Sequence, residues 1–261
     1  MLRAETLRSF TWAPWPVLFA LAGVGLILSA GDVGWATLPA FCGGGTVRML
    51  VGLDWLDALK LALAINPPGW LLMDWAVMLL GMMPPLLAAP LMHVWRSSLP
   101  RRRVRAIAVF VVGYSALWML AGLILIGAAL LLQLLAGQEA VAFVVALLLA
   151  ILWSASPWQR IALNRGHRLR RIGLFGWAAD RECLSFGLVH AIWCIASCWA
   201  WMLAALAAGP WHVPAMIFAG AAMLGERLKL PEAARWRWPA PFSQFFCWPS
   251  KSLQHSAVRH G

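Results

Sequence analysis

Several uninterrupted apolar stretches of this chain are longer than the ~20 residues that cross the hydrocarbon core of a bilayer as a helix. The clearest runs from Ala106 to Leu135 without a charged side chain. In lipid every backbone N–H and C=O must be satisfied internally, which leaves a helix as the form open to such a stretch. The rest of the composition agrees. Hydrophobic residues make up 62% of the 261 positions and charged residues only 12%, about half the share in a soluble domain. Eighteen Trp stand against one Tyr, and many lie near the ends of apolar runs, where the indole ring favours the membrane interface. The expected class is all-α: a polytopic helical membrane protein with no sizeable soluble part.

Six spans can be laid out: Trp12 to Ala30, Gly69 to His93, Ala106 to Leu135, Ala140 to Ser156, Cys183 to Ala208 and Val213 to Leu228. The net charge of +11 would suit a nucleic-acid binder, but the basic residues sit in short loops and tails between spans. Arg96 to Arg105 and Trp158 to Arg171 are the main basic loops. Alternating the spans from a cytoplasmic N-terminus puts both loops, Arg181 and both tails inside, with only Arg48 and Lys60 outside, as the positive-inside rule requires. The expectation is six helices with both termini cytoplasmic, with the lipid bilayer and not nucleic acid as partner. Residues 1–230 form one transmembrane domain, and 231–261 a basic aromatic tail held at the interface. The connection from Gly31 to Ala64 carries Cys42, a Gly43-Gly44-Gly45 run and an amphipathic segment lying on the membrane surface or merely connecting spans.

Two stripes within the spans stand out. In GLVHAIWCIASCWAWM, residues 187–202, His190, Cys194, Cys198 and Met202 recur every four residues and so share one helix face. Imidazole, thiol and thioether are the ligand types that suit copper(I). The plainer alternative is that these are buried apolar side chains plus a histidine hydrogen-bonded to a neighbour. In WLLMDWAVMLLGMMP, residues 70–84, Asp74, Met78 and Met82 repeat the spacing, with Met83 adjoining. An ionisable residue two turns inside a membrane helix marks a function or a buried partner. Asp74 serves either a ligand set or a hydrogen bond to indole N–H groups, and the methionines serve either a ligand set or core packing. If the second and fifth spans touch, the two stripes form one seam, with Met216 and Met223 of the sixth span able to join it. The five cysteines form no disulfide framework, and no metalloprotease, nucleophile-elbow or phosphate-loop motif is visible, so an enzyme is not expected.

Taken in order, these pieces resemble the predicted metal-binding integral membrane proteins, a bacterial family regarded as copper metallochaperones for copper enzymes. Trp75, Met78, Gly81, Met82, Met83 and Pro84 are similar to that family's Trp-x-x-Met-x-x-Ala-Met-Met-x-Pro pattern. Gly113-Tyr114 with Trp118 resembles its Gly-Tyr-x-x-x-Trp. Gly187, His190, Cys194, Cys198 and Trp199 resemble its Gly-x-x-His…Cys-x-x-Cys-Cys-Trp segment, and Glu226-Arg227 its closing Glu-Lys. Two departures stand out. The loop motif Pro-Leu-Lys-x-x-Cys-Leu-x-x-Cys has Ala162 and Gly166 in place of both cysteines, leaving His167 as the remaining donor there, and Ser197 replaces one helix cysteine. The resemblance implies binding or delivery of copper to a copper enzyme, with His190, Cys194, Cys198, Met202, Asp74, Met78 and Met82 as the ligand set. The alternative is a non-catalytic structural or assembly subunit of a larger membrane complex that keeps the fold without part of the ligands.

Overall fold

A computed structural model describes residues 14–30, 57, 60, 64, 67–170, 172–173, 176–229, 231 and 233–236. Cys42, most of the 46–64 segment, Cys247, His255 and His260 lie outside the described residues. Within them the regular structure is helical: α1 (Trp15–Ala30), α2 (Pro68–Met82), α3 (Ala88–Ser97), α4 (Arg103–Ala136), α5 (Glu139–Ala155), α6 (Pro157–Gly166), α7 (Gly176–Leu206) and α8 (His212–Arg227).

The expected second span is a broken one. Pro84 and Pro85 have no N–H to continue the ladder of α2, and a 3₁₀ turn over Pro84–Leu87 takes their place. The chain bends by 59° into α3. The fourth span breaks in the same way. Ser156 caps α6, its Oγ accepting from Gln159 N at 3.3 Å, and Pro157 occupies the first turn. The bend there is 68°, so part of what reads as a basic loop is a helix folded back on the bundle. Gly137, at φ +63°, closes α4 with a left-handed cap. Among the described residues two helices, α4 with its preceding turn and α7, are long and apolar enough to cross a membrane, and up to four spans result if each bent pair counts as one. Helices α1 and α8 have 16 residues each and rise ~24 Å, less than the ~30 Å hydrocarbon core.

The bundle is built around α7. It packs most extensively on α4 and is flanked by α5, α6 and α8, while α2 packs chiefly on α1. Helices α4 and α7 run parallel: Arg102 meets Asp180, Phe110 meets Gly187, and Tyr114 meets Cys194. Glycines let the two backbones approach, as small residues do at membrane helix interfaces. A Cβ on Gly187 would meet the Phe110 carbonyl oxygen, and one on Gly113 would come within 2.8 Å of the Leu184 carbonyl oxygen. Gly25 and Gly81 give α1 and α2 the same closeness, and Gly122 makes room for the Trp75 indole. On α5, Ala142, Ala146, Ala150 and Ser154 form a small-residue stripe, all fully buried, and the Trp201 indole donates to Ser154 Oγ at 2.8 Å. The outside is the reverse: Val112, Leu120, Ile124 and Leu131 of α4 and Val144, Leu148 and Leu152 of α5 are exposed. Apolar bands of that extent on two helices suit lipid.

Asp180 ties the start of α7 to the start of α4, taking Arg102 Nη2 at 2.6 Å and Arg105 Nη2 at 2.7 Å. The two expected basic loops therefore meet at one end of the bundle, where His93 Nε2 also lies 2.7 Å from the Arg170 carbonyl oxygen. We expect Gly187→Ala to destabilise the protein by about 2 kcal/mol through this overpacking. Gly127→Ala, on an open face, should be neutral or mildly stabilising. Thermal unfolding midpoints in detergent measure both.

Candidate metal centre

The parallel contact of α4 and α7 brings the rings of one helix over the soft residues of the other. Tyr114 leans on α7 one turn beyond Gly113's close approach, and its hydroxyl lies 3.2 Å from Cys194 Sγ. Cys194 and Cys198 are one turn apart on the buried face of α7, both sealed from solvent. Both are free thiols. Ser197, at the position between them, donates to the Cys194 carbonyl at 2.9 Å and places its Oγ 3.4 Å from Cys198 Sγ. The Trp118 indole nitrogen, buried and without a well-formed hydrogen bond, faces Cys194.

His190 stands one turn before Cys194, 3% exposed, in a cage of Phe110, Tyr114 and Phe186 rings with centroids 5.9 to 6.1 Å away. Its Nε2 is buried with no hydrogen-bond partner. An unpaired imidazole nitrogen in an aromatic cage is costly, and it is the atom through which histidine binds soft metals. Met202, one turn beyond Cys198, is fully buried. The α7 stripe expected from the four-residue spacing thus lies on one inward face.

The other stripe sits elsewhere in the bundle. Met78 and Met82 belong to the same continuous buried core as the two cysteines and Met202, as do Met216 and Met223. Helix α2, however, has α1, α4 and α8 as its neighbours. Its link towards the thiols passes through α4: Trp75 Nε1 donates to the Trp118 carbonyl at 2.9 Å, and the two indoles pack at 6.1 Å. Asp74 is half-buried, with Oδ2 enclosed and unpaired. Among the described residues no three His, Cys, Asp or Glu side chains converge on a common ion position. What the α7 face does bring close is the thiol pair, with an imidazole and a thioether one turn to either side. Two thiolates suit a soft monovalent ion that accepts low coordination.

Three residues that the spacing of soft ligands did not single out surround this pair. Tyr114 is the single tyrosine of the chain, set in the middle of an apolar span. Gln159 of α6 reaches the Ser197 carbonyl with Nε2 at 3.5 Å. The third is Arg227, at the end of α8, whose guanidinium lies between α6 and α7, its Nη1 3.3 Å from a point beside Gly166 that is 3.8 Å from Trp193 Cβ, with Cys198, Cys194 and Tyr114 within electrostatic reach. A charged pair, Glu226-Arg227, ending an apolar run was the available signal. Glu226 itself is sealed in an ion pair with Arg160 of α6 at 2.7 Å, and Lys229 reaches it at 3.2 Å. His167, the remaining loop donor, has Nδ1 2.6 Å from the Leu163 carbonyl oxygen and Nε2 3.0 Å from that of Arg227. The ring lies between two backbone carbonyls, a neutral imidazole donating to one of them, and the residue sits where α6 and α8 meet.

A family profile described as copper chaperone (PpoB2) matches residues 72–248. The chain belongs to that copper chaperone family. The match takes in α2 from its first turn, all of the α4–α7 contact and the thiol pair. Comparison with curated proteins and with solved structures gives no match. For a copper chaperone the Arg160–Glu226 pair is scaffolding: it holds α6 and α8 together beside the thiols. We expect Glu226→Gln, which strands a buried guanidinium, to cost about 3 kcal/mol. The double replacement Arg160→Met/Glu226→Leu should recover most of that loss. Unfolding midpoints of the single and double variants in detergent check both expectations.

Proposed function

We propose that this protein carries copper(I) inside the membrane bundle and delivers it to a copper enzyme of the bacterial cytoplasmic membrane or periplasm. It does so without catalysing a reaction of its own. The observation that carries the reading is the pair of buried free thiols one helical turn apart, Cys194 and Cys198, within the segment that matches the copper chaperone family. In this reading both cysteines bind as thiolates, giving up their protons as the ion enters. His190 adds a neutral nitrogen donor through its unpaired Nε2, and Met202 a weak thioether on the opposite side. Weak sulfur donors keep the ion mobile, which a carrier needs more than a storage site does.

Asp74, Met78 and Met82 form the second half of the path, a set of oxygen and thioether donors on α2 along which the ion passes to or from the thiols. The bundle sits in the membrane with six spans, the shorter α1 and α8 completing it. The end that gathers Arg102, Arg105 and Arg170 is cytoplasmic together with both termini. Lipid meets the exposed aliphatic bands of α4 and α5.

The test is elemental analysis of the protein purified in mild detergent under reducing conditions from cells grown with added copper. About one copper per chain is expected, lost in the Cys194→Ser/Cys198→Ser double variant. Unchanged copper in that variant would move the ligands elsewhere. No copper in a preparation that retains fixed partner subunits would instead make this a structural member of a larger complex.

A further inference from the structure

Holding copper leaves one strong feature of the site unused. The guanidinium of Arg227 lies inside the bundle, with Nε and Nη2 both enclosed and without a hydrogen-bond partner. Its Nη1 rests against α6, 3.3 Å from where a Cβ on Gly166 would stand. A cation so placed ordinarily faces a carboxylate, because a buried charge without a counter-charge is costly. The nearest carboxylate in sequence, Glu226, is engaged with Arg160 and Lys229 instead. What Arg227 stands beside is the turn of α7 that carries the thiols: the point 3.3 Å from its Nη1 is 3.8 Å from the Cβ of Trp193, the residue before Cys194, and Cys198, Cys194 and Tyr114 lie in its field. The remaining groups touching the thiols, the Tyr114 and Ser197 hydroxyls and the Trp118 indole, carry no formal charge. Arg227 is thus the fixed positive charge at a site closed to solvent.

We propose that Arg227 makes the thiol pair selective for ion charge, admitting a monovalent soft cation and rejecting divalent ones. The inference rests on the reading of Cys194 and Cys198 as the ligands. Its argument is a count of charges in a medium that screens poorly. Two thiolates carry two negative charges and Arg227 one positive charge, leaving one negative charge for the cargo to neutralise. A monovalent ion closes the count at zero. A divalent ion leaves a net positive charge in the bundle interior, and the guanidinium repels it over a few ångströms through a low dielectric. Both silver(I) and cadmium(II) seek thiolates, so the change in their ratio on removing the Arg227 charge, not the ratio itself, reports the charge effect. Gly166 has a part in the arrangement: with no side chain there, α6 leaves the space that the guanidinium fills.

The experiment compares silver(I) and cadmium(II), both thiolate-seeking and different in charge, on full-length protein in detergent. Affinities come from competition titrations, and cadmium–thiolate bonding is followed by its ultraviolet charge-transfer absorption. The unmodified protein should bind silver(I) and discriminate against cadmium(II). Arg227→Met and Arg227→Gln should shift the ratio of the two dissociation constants towards cadmium(II) by about tenfold or more. Arg227→Lys, which keeps the charge, should stay near the unmodified ratio. The two neutral variants are independent readings of one quantity, so a folding failure in one leaves the other to decide. An unchanged ratio in a neutral variant that still binds silver(I) overturns this inference and leaves the carrier reading standing. Failure of the unmodified protein to bind silver(I), or binding that survives Cys194→Ser/Cys198→Ser, overturns the carrier reading and this inference with it.

Discussion

The close parallel contact between α4 and α7 is the constraint on which the rest depends. Parallel neighbours need a long connection, and here it is supplied by α5 and the folded-back α6. The contact itself needs a missing side chain at Gly187, where the Phe110 carbonyl fills the space, and another at Gly113 opposite Leu184. Hydrophobic burial gives helices little reason to associate in lipid, so packing at glycine contacts and a few interhelical hydrogen bonds does that work. Once the backbones touch at those points, the Tyr114 hydroxyl has little freedom and falls beside Cys194. The same register lowers the Phe110 and Phe186 rings around His190. The polar centre is a by-product of where two helices can come closest.

The ion pairs that join these helices fall in two clusters, each built on a buried carboxylate. Arg160, Glu226 and Lys229 form one cluster, joining α6 to α8. Asp180 with Arg102 and Arg105 forms another at the starts of α4 and α7. Burying ions gains little net stability over an apolar alternative, but breaking such a pair is expensive. These pairs therefore fix which helices are neighbours more than they hold the bundle together. His167, the residue that caps α6, adds a third fastening, its ring set between the Leu163 and Arg227 carbonyl oxygens.

Much of this was legible in the residues. The all-helical class followed from the apolar runs, and the common face of His190, Cys194, Cys198 and Met202 followed from a four-residue repeat on a helix. The breaks at Pro84-Pro85 and Ser156-Pro157 were written as prolines, yet their geometry was not. The second span reads as continuous from Gly69 to His93 because hydropathy is blind to a 59° bend. The pairing of α2 with α1 was equally hidden. Periodicity tells which face of a helix turns inward, but the partner it meets depends on close contacts such as Gly25 on Gly81 that no single-helix pattern contains. Glu226-Arg227 stood out as a motif that closes the last span, but its two charges parting company was not legible: Glu226 pairs with Arg160 of α6, while Arg227 turns its guanidinium in beside Gly166.

The depth of the thiol pair has a bearing on time as well as on chemistry. Cys194 is wholly sealed and Cys198 is 2% exposed, so no aqueous channel leads to either sulfur in this arrangement. An ion held there leaves only when the bundle opens, whatever its intrinsic binding strength. Its residence is then governed by the frequency of a local opening, a quantity set by how firmly α6 and α8 are latched rather than by the metal–sulfur bonds. A site at that depth would separate retention from affinity, so that an ion bound softly there would still leave slowly.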